Sequence, residues 1–105
     1  MNISTNLIDR AKKKAGKSNC RYLISAIGIN NKGEIVYSSF NKPRFQRLGG
    51  GNHAEMIVML KSPPSLKTIL LCRVNASGKL LPIHPCKSCK SKAEDLNIKI
   101  VTIKD

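Results

Sequence analysis

The sequence predicts a single α/β domain, residues 1–105, in which helices alternate with the strands of a mixed sheet. Apolar residues recur at helical spacing in some segments and form short continuous runs in others, in the order helix–strand–strand–helix–strand–helix–strand. Two strand–helix–strand units in this order predict parallel neighbouring strands joined by right-handed crossovers. A chain of 105 residues is long enough for one hydrophobic core and too short for two.

The first half of the chain predicts a helix followed by a strand hairpin. Residues 4–15 place their apolar side chains on one helical stripe, with a serine or threonine available to cap the start. Residues 20–29 form a continuous apolar run, the pattern of a central strand that is buried on both faces. The turn-forming residues 30–33 then lead into a returning strand at 34–40. Residues 41–51 are polar and rich in glycine, which predicts a loop.

The second half predicts two helices, each followed by a strand. A short helix is stopped by Pro63 and Pro64, because proline cannot continue a helix. A loop at residues 75–84, with a small hairpin at its centre, separates the two helix–strand pairs. The predicted elements are a helix at 52–61, a strand at 67–74, a helix at 86–96 and a strand at 98–103.

The charge balance indicates the class of partner. Nineteen lysines and arginines stand against six acidic residues, a formal net charge of +13. Such an excess predicts salt-sensitive attraction to polyanions, above all nucleic acid and nucleotides. No apolar run reaches the length of a membrane span, and the first residues lack the apolar stretch of a secretory signal. We therefore expect no membrane partner and a cytoplasmic or other reducing intracellular compartment, where cysteines stay reduced.

Two short motifs carry the candidate chemistry. His53-Ala54-Glu55 lies at the start of one predicted helix, and the P-C-x-x-C run with Cys86 and Cys89 lies at the start of the next. The cysteines share one helix face, where the helix dipole favours thiolates. With His53 they supply three ligands and leave one tetrahedral position for water, as in catalytic zinc sites.

The residue two positions after His53 suits proton transfer. Zinc lowers the pKa of a bound water from about 16 towards about 7, which makes hydroxide available at neutral pH. Glu55 is then placed to take the proton of that water and to deliver it to the substrate. The motifs together therefore predict a Zn²⁺-dependent hydrolase with Glu55 as the catalytic acid and base.

The H-x-E…P-C-x-x-C pattern is found in the zinc-dependent nucleobase deaminases, and the sequence resembles the cytidine deaminase superfamily over residues 1–103. The resemblance implies a three-layer α/β/α fold and the hydrolytic conversion of cytosine to uracil. It implies that His53, Cys86 and Cys89 bind Zn²⁺ and that Glu55 moves protons. Single-stranded nucleic acid or a cytidine nucleotide is the expected substrate, and adenosine deamination in RNA is the alternative.

The same resemblance implies three substrate contacts. The amide of Asn41 would meet the sugar or base, the backbone N–H of Ala54 the base carbonyl, and the carbonyl of His84 the leaving amine. Asn41 is explained equally well as an ordinary turn residue. The side chain of His84 is expected to line the pocket or to face solvent, since a fourth ligand would displace the water.

Basic residues near the expected pocket are candidate nucleic-acid contacts. They are Lys42, Arg44, Arg47, Lys87 and Lys90. The lysines between residues 12 and 17 are either a solvated helix face or a further phosphate-binding segment. The predicted fold is also C-terminally short compared with the superfamily, which leaves a sheet edge at which a homo-oligomer would pair.

Simpler interpretations of the motifs compete with catalysis. Asn52 and Glu55 have the spacing of a helix capping box. The cysteines would also suit a redox motif or a closed structural zinc site, the latter within a non-catalytic nucleic-acid-binding module. A closed site needs a fourth ligand, for which His84 is the only other histidine. Glu55 speaks against a binding module, because holding zinc does not require it.

Overall fold

The computed structural model describes residues 5–18, 23–43, 51–85 and 87–103. These contain three helices and seven strands in the predicted order, with three two-residue strands added. The elements are α1 (Thr5–Ala15), β1 (Leu23–Asn30), β2 (Ile35–Phe40), β3 (Lys42–Pro43), β4 (Gly51–Asn52), α2 (Ala54–Lys61), β5 (Leu66–Val74), β6 (Leu80–Leu81), α3 (Lys87–Asp95) and β7 (Lys99–Thr102). The fold is therefore the mixed α/β fold that the sequence predicts.

The main sheet has β1 and β5 at its centre. Its order is β2-β1-β5, and both β6 and β7 pair with the far edge of β5. The β1–β2 hairpin is antiparallel and β7 runs parallel to β5, as predicted. The prediction that the two strands joined by the first crossover are neighbours is wrong. These strands are β2 and β5, and β1 lies between them, antiparallel to both. The crossover from β2 through α2 to β5 therefore passes over β1, the hairpin partner of β2.

Helices cover both faces of the sheet, which gives the expected three layers. On one face α1 packs its buried Ala11 and Ala15 against a cluster that includes Ile27 and Ile29 of β1. On the other face α2 and α3 pack against a second cluster that includes Ala26 of the same strand. Side chains of β1 alternate between these clusters because successive residues of a strand point to opposite faces. Its continuous apolar run is explained by burial on both sides.

Gly28 allows α2 to approach β1 closely. A Cβ atom at this position would lie 2.7 Å from Cδ1 of Leu66 and 2.8 Å from Cγ1 of Val58. Both distances are shorter than van der Waals contact, so even a methyl group would push the helix away from the strand. The distance between the middle layer and the α2 layer thus depends on this glycine.

Substituting Gly28→Ala is expected to lower the free energy of unfolding by about 1–3 kcal/mol, the usual cost of overpacking a core. Denaturant titration of the purified variant measures this loss. Gly16→Ala is the matched control, because its Cβ would meet only backbone oxygens at 3.5 and 3.6 Å. An equal loss in both variants would contradict the packing argument.

Cys72 is a core thiol on the α1 side of the sheet. Its side chain is fully buried, and burial raises the pKa of the thiol from 9.0 to about 11 against smaller lowering effects of Ser25 and Lys12. Below pH 9 the thiol is protonated in both the folded and the unfolded chain. Between pH 9 and about pH 11 the unfolded chain loses this proton before the folded chain does, so the folded state becomes less stable as the pH rises.

We therefore expect the free energy of unfolding of the parent to fall between pH 9 and 11 by up to about 3 kcal/mol more than that of a Cys72→Ala variant. Urea titrations of both proteins across this pH range provide the test. Parallel pH profiles would show that Cys72 does not titrate differently in the two states. Cys20, the first residue of the strand predicted at 20–29, lies outside the described residues.

Candidate metal centre

Three predicted site residues meet in space. His53, Glu55 and Cys89 each offer one ligand atom, and these atoms lie within 4.8 Å of one another. The Sγ atom of Cys89 is 3.5 Å from Nδ1 of His53, although the residues are 36 positions apart in sequence. His53 is exposed, whereas Glu55 is only 4% and Cys89 only 1% exposed. The group therefore has one accessible side and two buried members.

The local chain path explains the position of His53. After β2 the chain forms the small ribbon β3–β4, in which Lys42 pairs with Asn52. His53 follows as the N-cap of α2, with an extended backbone (φ −71°, ψ 135°) and no side-chain cap hydrogen bond. The capping-box interpretation is thus wrong, since Asn52 belongs to β4 and Glu55 is the second helical residue, not the third.

Glu55 and Cys89 lie in the first turns of two neighbouring helices. Glu55 is on α2 and Cys89 is on α3, and the two helices contact each other above the same face of the sheet. Cys89 packs in the core cluster that also contains Ala54. Both positions are therefore at the positive end of a helix dipole.

The separation of the nitrogen and sulfur atoms fits zinc. Zn–N bonds of about 2.0–2.1 Å and Zn–S bonds of about 2.3 Å, at a tetrahedral angle, place the two donor atoms about 3.6 Å apart. The observed Sγ–Nδ1 distance is 3.5 Å. An imidazole and a thiolate are also donor types that zinc prefers. These residues can thus occupy two corners of one tetrahedral metal site.

The remaining predicted ligands are placed differently. Cys86 lies outside the described residues, so its part in the site stays a prediction. His84 is exposed and does not belong to the metal-ligating group found among the described residues. Within that part of the chain, the closed site with His84 as fourth ligand has no support.

Asn41 has a structural task that the sequence does not reveal. Its Oδ1 accepts hydrogen bonds from Oγ of Ser18 at 2.6 Å and from the backbone N–H of Ile24 at 3.1 Å. Its backbone carbonyl accepts a further hydrogen bond from the same serine at 3.0 Å. These bonds tie the segment after α1 to the end of β2, where the chain turns towards His53. They give Asn41 a structural role that differs from that of an ordinary turn residue, and contact with a substrate stays a prediction.

The structure describes some of the other predicted contacts and not others. Ala54 is fully buried beside Glu55 at the start of α2, and the proposed role of its N–H stays a prediction. Lys87 and Lys90 are exposed on either side of Cys89 in α3. Arg44, Arg47 and the side chain of Lys42 lie outside the structural description. Of the predicted basic contacts, Lys87 and Lys90 are the ones whose side chains the structure describes.

Comparisons with known proteins find similar solved structures but no similar family model or curated sequence. No family model matches this chain, and no curated protein matches it in sequence. No helix in the described segments is long and apolar enough to cross a membrane.

Solved structures of cytidine deaminases match nearly the whole chain. The protein from Mycobacterium tuberculosis superposes with a TM-score of 0.62 at 17% identity, covering 98% of this chain and 86% of the other. That from Mycobacterium leprae gives 0.65 at 16% identity, covering 96% and 89%. A point mutant of the former gives 0.64 at 18% identity, covering 98% and 87%. With three helices around a mixed sheet in the same arrangement, the chain has the fold of the cytidine deaminases.

Proposed function

We propose that this protein is a zinc-dependent hydrolytic deaminase that converts cytosine to uracil in single-stranded nucleic acid or in a cytidine nucleotide. The observation that carries the proposal is the group formed by His53, Glu55 and Cys89 at two adjoining helix starts. It occurs on a fold shared with cytidine deaminases, which adds support from an independent source.

The proposed metal ligands follow from the types of donor atom in the group. Nδ1 of His53 and Sγ of Cys89 would hold the zinc, with the predicted Cys86 as the third protein ligand. Zinc bound there supplies a coordinated water whose pKa is lowered towards about 7. Thiolate ligands must remain reduced, which supports a reducing compartment for the working protein.

Glu55 is assigned to proton transfer. Its carboxylate is almost fully buried and lies close to the donor atoms of His53 and Cys89. In the proposed reaction a water oxygen bonds to C4 of cytosine, and Glu55 carries the water's proton to ring nitrogen N3. Glu55 then transfers a second proton from the added oxygen to the exocyclic nitrogen, the C4–N bond breaks, and ammonia leaves. Cytosine and water are thus converted to uracil and ammonia with no other reactant.

The charge of the chain favours a substrate with phosphates. A net charge of +13 attracts polyanions, and the exposed Lys87 and Lys90 flank Cys89. The predicted contacts Lys42, Arg44 and Arg47 precede His53 in the chain and belong to the same proposal. A polynucleotide or a nucleotide therefore suits the protein better than an uncharged nucleoside.

A direct test incubates zinc-loaded protein separately with cytidine, dCMP, single-stranded DNA, RNA and tRNA. Mass spectrometry then scores the replacement of an amine by oxygen at cytosine and at adenine. We expect turnover of cytosine, fastest in a phosphorylated substrate. Conversion of adenosine alone would support the alternative RNA deaminase. Stoichiometric zinc without turnover of any substrate would instead indicate a non-catalytic nucleic-acid-binding module.

A further inference from the structure

A basic groove lies between α1 and the edge strand β2, on the face of the sheet opposite to α2. Its walls carry four cationic side chains of α1 and the segment after it, and its floor includes Ile35 and Ser38 of β2. The groove has a volume of about 210 Å³. The four cations are Arg10, Lys13, Lys14 and Lys17.

The four cations form a single stripe. Arg10, Lys13 and Lys14 lie in α1 and Lys17 follows it, at the spacing i, i+3, i+4 and i+7, so like charges are neighbours along this side. Like charges at this spacing destabilise a helix. Among the described residues no acidic side chain lines the groove, and Asp9 is the only acidic residue of α1. Bound anions would remove this repulsion. The groove thus has the charge of a phosphate-binding surface.

One of the cations is held in place at the end of the groove. Lys14 is half-buried, and its Nζ lies 5.7 Å from the centre of the Phe40 ring. Arg10, Lys13 and Lys17 are exposed and are accessible to a ligand. The groove therefore offers one charge beside an aromatic ring and three exposed charges.

Bonded residues connect the segment after α1 with the metal centre, which lies on the other face of the sheet. Ser18, next to Lys17, is hydrogen-bonded to Asn41 at the end of β2. The next residue, Lys42, pairs with Asn52, which directly precedes His53. With ordinary spacings between consecutive and paired residues, this path from Lys17 to His53 is about 25 Å long. In the proposal, a strand of several nucleotides passes around β2, the edge strand of the sheet among the described residues.

We propose that this groove binds the phosphates of a single-stranded nucleic acid whose target base lies at His53, Glu55 and Cys89. The inference rests on the proposed function, which supplies the reason for an unpaired strand: a base within a duplex is inaccessible to such an active site. Basic grooves that follow a single strand commonly hold roughly 4–16 nucleotides. The α1 groove and the metal centre together match the lower part of that range.

The test compares two charge-reversed double variants that change the net charge equally. The groove variant is Lys13→Glu with Lys17→Glu. The control is Lys92→Glu with Lys99→Glu, two exposed lysines on α3 and β7, beyond β5 and away from β2. Lys13 and Lys92 both lie in the last turn of a helix, which matches the effect of reversal on folding.

Fluorescence anisotropy measures binding of a labelled single-stranded oligonucleotide of about 12 nucleotides. At about 0.1 M salt, loss of two phosphate contacts weakens binding at least about 20-fold and makes the slope of log K against log salt shallower by about 1.4. The control pair is expected to change the Kd less than about threefold, because screening limits distant charges. Melting curves of both variants confirm that they fold.

Equal weakening by both pairs, or none by the groove pair, would overturn the proposal. So would a groove variant that loses binding to phosphatidylserine vesicles while its affinity for the oligonucleotide is unchanged. Because binding is measured without turnover, failure of the groove is separate from failure of the proposed function. A parent protein that binds as expected but deaminates no substrate contradicts the proposed function alone.

Discussion

A Glu55→Gln variant is expected to lose deaminase activity by a factor of about 10²–10⁴, the usual contribution of a general acid–base group. Glutamine keeps the size of the buried side chain but cannot carry a proton between water and base. Zinc content and melting temperature should remain close to those of the parent, since Glu55 is assigned to proton transfer and not to coordination. Steady-state kinetics and metal analysis on the same preparation measure both properties.

The zinc content of this variant distinguishes a role of Glu55 in proton transfer from a role in zinc coordination. The position of Glu55 does not distinguish the two roles. The Glu55 carboxylate lies within 4.8 Å of the donor atoms of His53 and Cys89, so it is also within range of a bound ion. A variant without zinc would identify Glu55 as a ligand and contradict the assigned role. Glu94→Gln is the control, because this glutamate is exposed near the end of α3. Its activity should equal that of the parent.

A His53→Ala variant is expected to lose stoichiometric zinc and the stability that zinc supplies. A ligand present at about 1,000 times its Kd stabilises a folded protein by about 4 kcal/mol, and removal of one ligand residue should abolish most of this gain. His53 is exposed, so its loss should matter little in metal-free protein. Melting curves with zinc and with a chelator measure the two contributions separately.

His84→Ala provides the matched control for this experiment. His84 is the only other histidine, is likewise exposed, and does not belong to the group with Glu55 and Cys89. Zinc content and zinc-dependent stabilisation should be unchanged in this variant. If both histidine variants lost zinc equally, the assignment of His53 as the specific ligand would be refuted.

The sequence predicts those parts of the structure that depend on local patterns. The three helices and four longer strands follow from apolar spacing, and each is found within a few residues of its predicted bounds. His53 and Cys89 are predictable as site residues because a motif at a helix start fixes the direction of its side chains. The start of α2 is less predictable. It depends on the pairing of β3 with β4, two segments too short to have a pattern of their own.

The features that the sequence does not predict depend on contacts between segments that are distant in the chain. The insertion of β1 between β2 and β5 depends on which strand edges pair, and the apolar content of the strands does not distinguish the alternatives. The hydrogen bonds between Ser18 and Asn41 join residues 23 positions apart, and neither side chain belongs to a motif. Helical spacing reveals the basic stripe of α1, but only packing shows that β2 completes the groove.

The three-layer arrangement has a consequence for how such a protein evolves. All the residues that the structure brings together at the metal centre come from α2 and α3, and α1 lies on the far side of the sheet. The buried strands β1 and β5 therefore separate the outer surface of α1 from His53, Glu55 and Cys89. Under the proposed function, the charges of this helix are expected to change in evolution without changes at His53, Glu55 and Cys89. The preference for a substrate and the reaction itself would then be separate targets of selection.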